Sequence, residues 1–166
     1  GMSVISQSGS IGSAILMFAC DQPVPMGFSK WGHVGNMSDV STEDILRYYS
    51  DDESTKVIAM YMEGMTDARG FFEAAKEVTQ KKPLIVLKVG RSEIGSVAAA
   101  SHTGSLAGAD KIFDGAFKQT GVLRADTVEE LVDTAKAFSM VNLPKGNRVA
   151  ILTEAGGPGV ISMDEV

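Results

Sequence analysis

The sequence predicts an α/β fold in which a parallel β-sheet is covered by helices on both faces. Short runs that are apolar throughout, such as residues 57–62, are typical of strands buried on both sides. These runs alternate along the chain with longer segments whose apolar residues recur at helical spacing. The chain of 166 residues is long enough to bury a core without disulfides.

The strands and helices can be placed in order from local signals. We expect strands over residues 2–6, 27–31, 57–62, 84–88 and 122–124. We expect helices over about 11–19, after a cap at Ser41 or Thr42, over 67–80, over 109–119 and from a cap at Thr127 to Met140. Serine and threonine cap a helix by accepting a hydrogen bond from a backbone N–H in its first turn. Residues 89–108, which are mostly small, are expected to form a loop.

Five strands alternating with helices favour a flavodoxin-like, doubly wound arrangement, a Rossmann-like three-layer sandwich with a five-stranded parallel sheet in its middle. We assign residues 1–144 to this domain. Residues 145–166 are interpreted as a linker and the start of a further α/β domain, because a strand pattern from Arg148 to Leu152 precedes a glycine-rich turn. A sixth strand of the same sheet explains that pattern equally well.

The composition excludes several classes of protein. The net charge is -6 and no basic run is present to neutralise phosphates, so nucleic-acid binding is not expected. No apolar stretch approaches the ~20 residues of a membrane span, and the amino-terminal residues do not resemble a signal peptide. The single cysteine, Cys20, suits a reducing compartment, so we expect a cytoplasmic protein. Histidines, cysteines and clustered carboxylates are too few to predict a metal site.

One candidate site lies where the first strand leads into a helix. The residues Ser6, Gln7, Ser8, Gly9 and Ser10 form a serine- and glycine-containing turn between these two elements. Several backbone N–H groups are then left without a helical partner at the positive end of the helix dipole. The turn is therefore predicted to bind an anion such as a phosphate.

Three further stretches are expected at the same edge of the sheet, because ligands of open parallel sheets bind outside the carboxyl ends of the strands. They are Gly35–Asn36, Glu63–Gly64 and the loop that contains His102. Glu63 is placed to accept a hydrogen bond from a ring N–H of His102, which would leave the other ring nitrogen free to attack a substrate. Asn36 is placed to bind a substrate carboxylate. Plainer interpretations remain: a turn at Asn36, solvation of a strand end by Glu63, and a flexible connector around His102.

A flavin site is an alternative that the residues leave open. A serine-rich loop after the first strand can hold a flavin phosphate, and Trp31 is an aromatic residue available for stacking. That interpretation gives the loop with His102 no role. The chain has no Gly-x-x-x-x-Gly-Lys-Ser/Thr loop, so it is not expected to bind a nucleoside triphosphate in that manner.

With these residues placed, nearly the whole chain resembles the nucleoside-diphosphate-forming acyl-CoA synthetases, the superfamily that includes succinyl-CoA synthetase. The resemblance rests on the stretches Val4–Gly12, Gly35–Val40, Tyr61–Gly64, Lys88–Ser92 and Ser101–Gly108. The last of these, joined to Val122–Thr127, is the most specific.

The resemblance implies that His102 is a phosphohistidine. It would carry a phosphoryl group between an acyl phosphate and ADP or GDP, while acyl-CoA, nucleoside diphosphate and phosphate interconvert with acid, CoA and nucleoside triphosphate. Glu63 would orient the imidazole. The phosphoryl group would be cradled by Ser6, Gln7, Ser8 and Gly9. The acyl substrate would be contacted by Gly35, Asn36, Thr103 and Gly104.

The resemblance also implies partners. A CoA-binding Rossmann domain and an ATP-grasp domain or subunit would complete the enzyme, a small carboxylic acid would be the substrate, and chains could assemble into an oligomer. No metal ligand and no tightly bound cofactor is implied in this domain, because CoA and ADP or ATP with Mg²⁺ would bind mainly to the other domains. This chain alone is expected to be inactive.

A second interpretation of the same resemblance is a non-catalytic domain that senses CoA or acyl groups within a protein acetyltransferase. Chains of that kind lack the reactive histidine, so His102 favours the catalytic interpretation. Neither the acid nor the choice between ADP and GDP is predicted.

Overall fold

The computed structural model describes residues 1–24, 26–103 and 110–166. The strands in these ranges are β1 (Met2–Ser6), β2 (Phe28–His33), β3 (Val57–Met62), β4 (Leu84–Lys88) and β5 (Leu123–Ala125). The helices are α1 (Gly9–Cys20), α2 (Thr42–Asp51), α3 (Ala68–Thr79), α4 (Glu93–Thr103), α5 (Asp110–Thr120), α6 (Val128–Met140) and α7 (Gly156–Asp164). All neighbouring strands pair in parallel, in the order β2-β1-β3-β4-β5. This is the flavodoxin-like order, and the predicted fold class is confirmed.

A hydrophobic core lies on each face of the sheet. Successive strand residues point to opposite faces, so Val4 packs with α1 and α6 whereas Ile5 packs with α2, α3 and α5. The central strand β3 is buried along its whole length, as its apolar sequence predicts. Burying each large apolar side chain contributes about 1.5–3 kcal/mol, so the two cores together hold the sheet between its helices.

The helix starts agree with the capping signals in the sequence. Ser41 and Thr127 cap α2 and α6, and each side chain accepts a hydrogen bond from a backbone N–H in the first turn. Ser41 also forms a capping box with Asp44. Asp67, expected inside its helix, instead caps α3 by accepting from Gly70 N at 2.9 Å. Local side-chain chemistry therefore fixes where these helices begin.

The expectation of a loop over residues 89–108 is wrong for most of its length, because α4 occupies Glu93–Thr103. Small residues favour loops only when they are glycine or serine, whereas alanine is the strongest helix former. Residues 98–100 are alanines, and Ser92 starts the helix by accepting from Gly95 N at 3.0 Å. The backbone of His102 thus belongs to the last turn of a helix.

The strand expected from Arg148 to Leu152 is not formed in the described part of the chain. A strand needs a neighbour for its backbone hydrogen bonds, and these residues pair with none of the five strands. α7 follows them with all its residues exposed or nearly so, and its N-cap Ala155 offers no side-chain hydrogen bond. The sixth-strand interpretation is therefore wrong, and the separate-domain assignment of residues 145–166 stays a prediction.

Candidate functional site at the carboxyl edge of the sheet

The loops that follow β1, β2, β3 and β4 lie along one edge of the sheet. The register places Ser6 beside His33 and Tyr61, and Met62 beside Lys88, so these strands end close to the same level. Because the strands are parallel, the loops after them face the same side. The sequence-predicted stretches at Ser6–Gly9, Gly35–Asn36 and Glu63–Gly64 are thus brought together.

The turn between β1 and α1 is shaped by its two serines. The Ser6 hydroxyl donates to the Ser8 carbonyl at 2.6 Å and accepts from Ser8 N at 3.2 Å. Ser8 is the N-cap of α1, and its hydroxyl accepts from Ile11 N at 3.4 Å. The N–H groups of Gly9 and Ser10 donate to no acceptor within the described residues, and both residues are exposed. The start of α1 therefore presents two free backbone donors to an anion.

Gln7 locks this turn to the loop after β3, and we call its set of hydrogen bonds the Gln7 bracket. The Gln7 Oε1 accepts from Glu63 N at 2.6 Å and from Gly64 N at 3.1 Å, while Nε2 donates to the Gly64 carbonyl at 2.8 Å. The backbone N–H of Gln7 donates to the Tyr61 carbonyl at 3.3 Å. The Gln7 side chain is buried, so its amide positions the two loops rather than presenting a donor to solvent.

Glu63 is nearly buried at the end of β3, beside the Tyr61 hydroxyl. Burial raises the pKa of Tyr61 to about 12, and the adjacent Glu63 carboxylate adds to that shift. The ammonium of Lys88, at the end of the neighbouring strand, is also buried. Burial lowers the pKa of Lys88, while the charges of Asp110 and Glu63 partly offset this effect. The site thus holds a carboxylate and an ammonium in a largely dehydrated setting.

The loop after β2 is tied to the same bracket. Met37 Sδ accepts from Gln7 Nε2 at 3.6 Å and from the Thr42 hydroxyl at 3.2 Å. Gly35 has a φ of +50°, a conformation that favours glycine, and it turns the chain so that Asn36 is exposed. Asn36 is thus accessible at this edge, and its contact with a substrate stays a prediction.

The remaining predicted site residues fall on a part of the chain that can be described only by its backbone or not at all. The backbone of His102 and Thr103 belongs to α4, and Gly104 lies outside the described residues. The contact between Glu63 and His102 therefore stays a prediction.

Two further side chains, to which the sequence assigns no role, lie at this edge. The His33 imidazole lies against α1, with Cε1 and Nε2 each 3.7 Å from where a side-chain carbon on Gly9 would stand. Lys88 is the other feature, and its signal was a lysine closing an otherwise apolar strand. Its ammonium lies 4.6 Å from the centre of the Phe113 ring.

Trp31, considered for stacking on a flavin, instead packs against Gly12 of α1 and edge-on to Phe28.

In the described ranges, no helix is both long and apolar enough to cross a lipid bilayer. Across the same ranges, no three histidine, cysteine or carboxylate side chains stand close enough together to hold a metal ion.

Doubly wound parallel sheets bind their ligands outside the carboxyl ends of the strands. This edge of the sheet holds the start of α1, with its free backbone N–H groups, and the Glu63 side chain. The family described as succinyl-CoA ligase like flavodoxin domain matches residues 1–138, and the chain belongs to this family.

Its relatives include the acetate–CoA ligase [ADP-forming] II subunit alpha of Pyrococcus furiosus, 54% identical over 98% of this chain and 35% of that protein. The acetate–CoA ligase [ADP-forming] of Methanocaldococcus jannaschii is 48% identical over 99% of this chain and 23% of that protein. The chain thus spans about a quarter to a third of the length of these relatives.

A solved structure with the same fold is the dinucleotide forming acetyl-coenzyme A synthetase 1 of Candidatus Korarchaeum cryptofilum, in complex with phosphate and ADP. It superposes with a TM-score of 0.87 at 42% identity, covering 99% of this chain and 35% of that one.

Proposed function

We propose that this chain is the phosphohistidine-carrying domain of an ADP-forming acyl-CoA ligase. The Gln7 bracket is the observation that carries the proposal, because it fixes an anion-binding helix start beside Glu63. α4 leaves from the neighbouring strand β4, and its last turn contains His102. The names of the relatives supply the reaction, and phosphate and ADP, both present in the solved relative, are two of its reactants.

The reaction on this domain consists of two phosphoryl transfers. A neutral ring nitrogen of His102 attacks the phosphorus of an acyl phosphate, so that a P–N bond forms and the P–O bond to the acyl oxygen breaks. The carboxylate leaves with the electron pair of that bond. A terminal oxygen of ADP then attacks the same phosphorus, the P–N bond breaks and ATP is released. Imidazole is largely neutral at neutral pH, so it needs no further activation.

The chain's own groups stabilise charge during these transfers. The N–H groups of Gly9 and Ser10, with the dipole of α1, face the negative oxygens of the transferring phosphoryl group. The Glu63 carboxylate accepts a hydrogen bond from the ring N–H of His102, which selects the reactive tautomer and offsets the positive charge that develops on the ring. Gly35, Asn36, Thr103 and Gly104 contact the acyl group.

The other half of the reaction belongs to other domains. A CoA-binding Rossmann domain would form the acyl phosphate from acyl-CoA and phosphate, releasing CoA. An ATP-grasp domain or subunit would bind ADP or ATP with Mg²⁺. The chain's share of 23–35% of the length of its relatives is consistent with such additional domains.

The proposal is tested by following label from γ-labelled ATP into the protein, in the presence of Mg²⁺ and the nucleotide-binding subunit of an ADP-forming ligase. We expect acid-labile, base-stable label in the wild type and none in His102→Ala. His33→Ala is the matched control, because the chain has two histidines. Label that survives in His102→Ala would contradict the assignment. An unlabelled wild type with a competent partner would favour a sensing domain of an acetyltransferase.

A further inference from the structure

A cluster of opposite charges joins β5 to the start of α5. Arg124, in the middle of β5, donates from one guanidinium nitrogen to Asp110 Oδ1 at 2.7 Å and from the other to Asp114 Oδ1. Arg91 Nε lies 3.7 Å from the second carboxylate oxygen of Asp110. Arg91 also pairs with Asp126, which follows β5. Asp110 thus receives one guanidinium on each of its oxygens.

The pair between Arg124 and Asp110 is less exposed than the ion pairs that join helix residues elsewhere in the described part of the chain. Their side chains are 14% and 19% exposed, against 45% and 60% for the pair of Arg47 and Glu77. Exposed pairs contribute little to stability, whereas removing one partner of a buried pair leaves an uncompensated charge. The position of Asp110 is therefore strongly constrained.

This constraint acts at both ends of one segment. Arg91 comes two residues before α4 begins at Glu93, and Asp110 is the first residue of α5. Their ion pair brings the two ends of residues 91–110 together, and Arg124 fastens that junction to the sheet. His102 belongs to the enclosed segment. We call Arg91, Asp110 and Arg124 the root of this segment.

Lys88 extends the same cluster toward Glu63. It is the last residue of β4, directly beside Met62 in the register, and Glu63 follows Met62. Asp110 and Glu63 are the two carboxylates whose charges act on the buried Lys88 ammonium. The root therefore lies on the same side of the molecule as the proposed phosphoryl site.

We propose that Asp110 is a positioning residue for phosphoryl transfer, which it serves by holding the root through Arg124 and Arg91 so that His102 reaches the phosphoryl group. The inference rests on the proposed function, because it assigns the root a role only if His102 is phosphorylated. Asp110 itself touches no reacting atom. Its effect comes from where the segment leaves and rejoins the sheet.

The test compares Asp110→Asn with Asp114→Asn in the complete enzyme. Both variants remove one carboxylate partner of the same guanidinium on the same helix, but only Asp110 also bridges to Arg91. The rate constant and the final extent of His102 labelling are measured with γ-labelled ATP, with ADP removed enzymatically. We expect Asp110→Asn to lower the rate constant ~10-fold to 100-fold and Asp114→Asn to lower it less than about twofold, because small misplacement of a reacting group has large kinetic effects.

Loss of folded protein has a different signature. It lowers the final extent of labelling and leaves the rate constant of the remaining molecules unchanged. Asp110→Glu serves as a second variant that keeps both ion pairs but shifts the root by one methylene, and it should slow labelling with near wild-type thermal stability.

Equal rate constants for Asp110→Asn, Asp114→Asn and wild type would overturn the inference. So would a loss confined to the final extent of labelling. An unlabelled wild type, by contrast, would overturn the proposed function itself, so the two failures are distinguishable.

Discussion

The two sides of the sheet edge are held together by different forces. On the β1 and β3 side, the Gln7 bracket joins the loops through uncharged hydrogen bonds from a buried amide. On the β4 and β5 side, the root joins segment 91–110 to the sheet through ion pairs. Neutral, fully satisfied hydrogen bonds fix the turn between β1 and α1 without placing a charge of their own beside the start of the helix. A guanidinium fork instead suits the junction, because it reaches two acceptors on one helix at once.

The largest expected effect on stability comes from removing the Gln7 bracket, which holds the β1 and β3 side through uncharged hydrogen bonds. Gln7→Leu leaves Glu63 N, Gly64 N and the Gly64 carbonyl without their side-chain partner in a buried location. Each buried unsatisfied group costs about 1–3 kcal/mol, so we expect the free energy of unfolding to fall by at least ~3 kcal/mol. The measurement is the denaturant midpoint and slope of the unfolding transition.

Gln80→Leu is the matched control for this change, because Gln80 is exposed at the end of α3. An exposed substitution away from such features changes stability by less than ~0.5 kcal/mol. Equal losses for the two variants would show that the Gln7 amide does not hold the loops.

The second-largest effect is expected at alkaline pH, where Tyr61 loses its proton and Arg124 keeps its charge. The Tyr61 pKa is raised by burial to about 12 from its usual 10.0, so the folded state keeps a proton that the unfolded state releases. The stabilisation is fully present below pH 10 and is lost as pH rises toward 12, by about 2 kcal/mol. Arg124 stays charged over this interval, so the ion pairs of the root should not contribute to this loss of stability.

The free energy of unfolding, measured from pH 9 to pH 12, checks this contribution of Tyr61. Tyr61→Phe should show a shallower decline with pH than the wild type, because it has no proton to release at that position. Tyr48→Phe is the control, since that ring is exposed on α2. A decline in Tyr61→Phe as steep as in the wild type would rule out Tyr61 as its cause.

Much of the fold could be predicted from the sequence because its signals are local. Apolar runs mark β1, β3 and β4, and the caps at Ser41 and Thr127 mark two helix starts. α4 was missed because a run of small residues fits both a loop and a helix until the alanines are separated from the glycines.

The contacts within the site were less predictable. The sequence places Gln7 in the anion-binding turn, but its amide partners lie 56 and 57 residues away, and only the register of β1 and β3 brings them together. The partners of Arg124 are 10 and 14 residues away on a helix, at distances that depend on how α5 packs against β5. Tertiary register, unlike capping, leaves no local pattern in the sequence.

The smallest expected effect on stability comes from removing a helix cap, and two such caps can be compared. Ser8→Ala and Thr127→Ala each remove an N-cap hydroxyl, from α1 and α6 respectively, and each should lower the free energy of unfolding by about 1 kcal/mol. Only the Ser8 change alters the turn that presents Gly9 N and Ser10 N. We therefore expect labelling of His102 to slow about tenfold in Ser8→Ala, less than the ~10²-fold typical of a lost transition-state donor, because the backbone donors remain. Thr127→Ala should label at the wild-type rate. If both variants label alike, the Ser8 hydroxyl stabilises the fold only, and the geometry of the phosphoryl site does not depend on this cap.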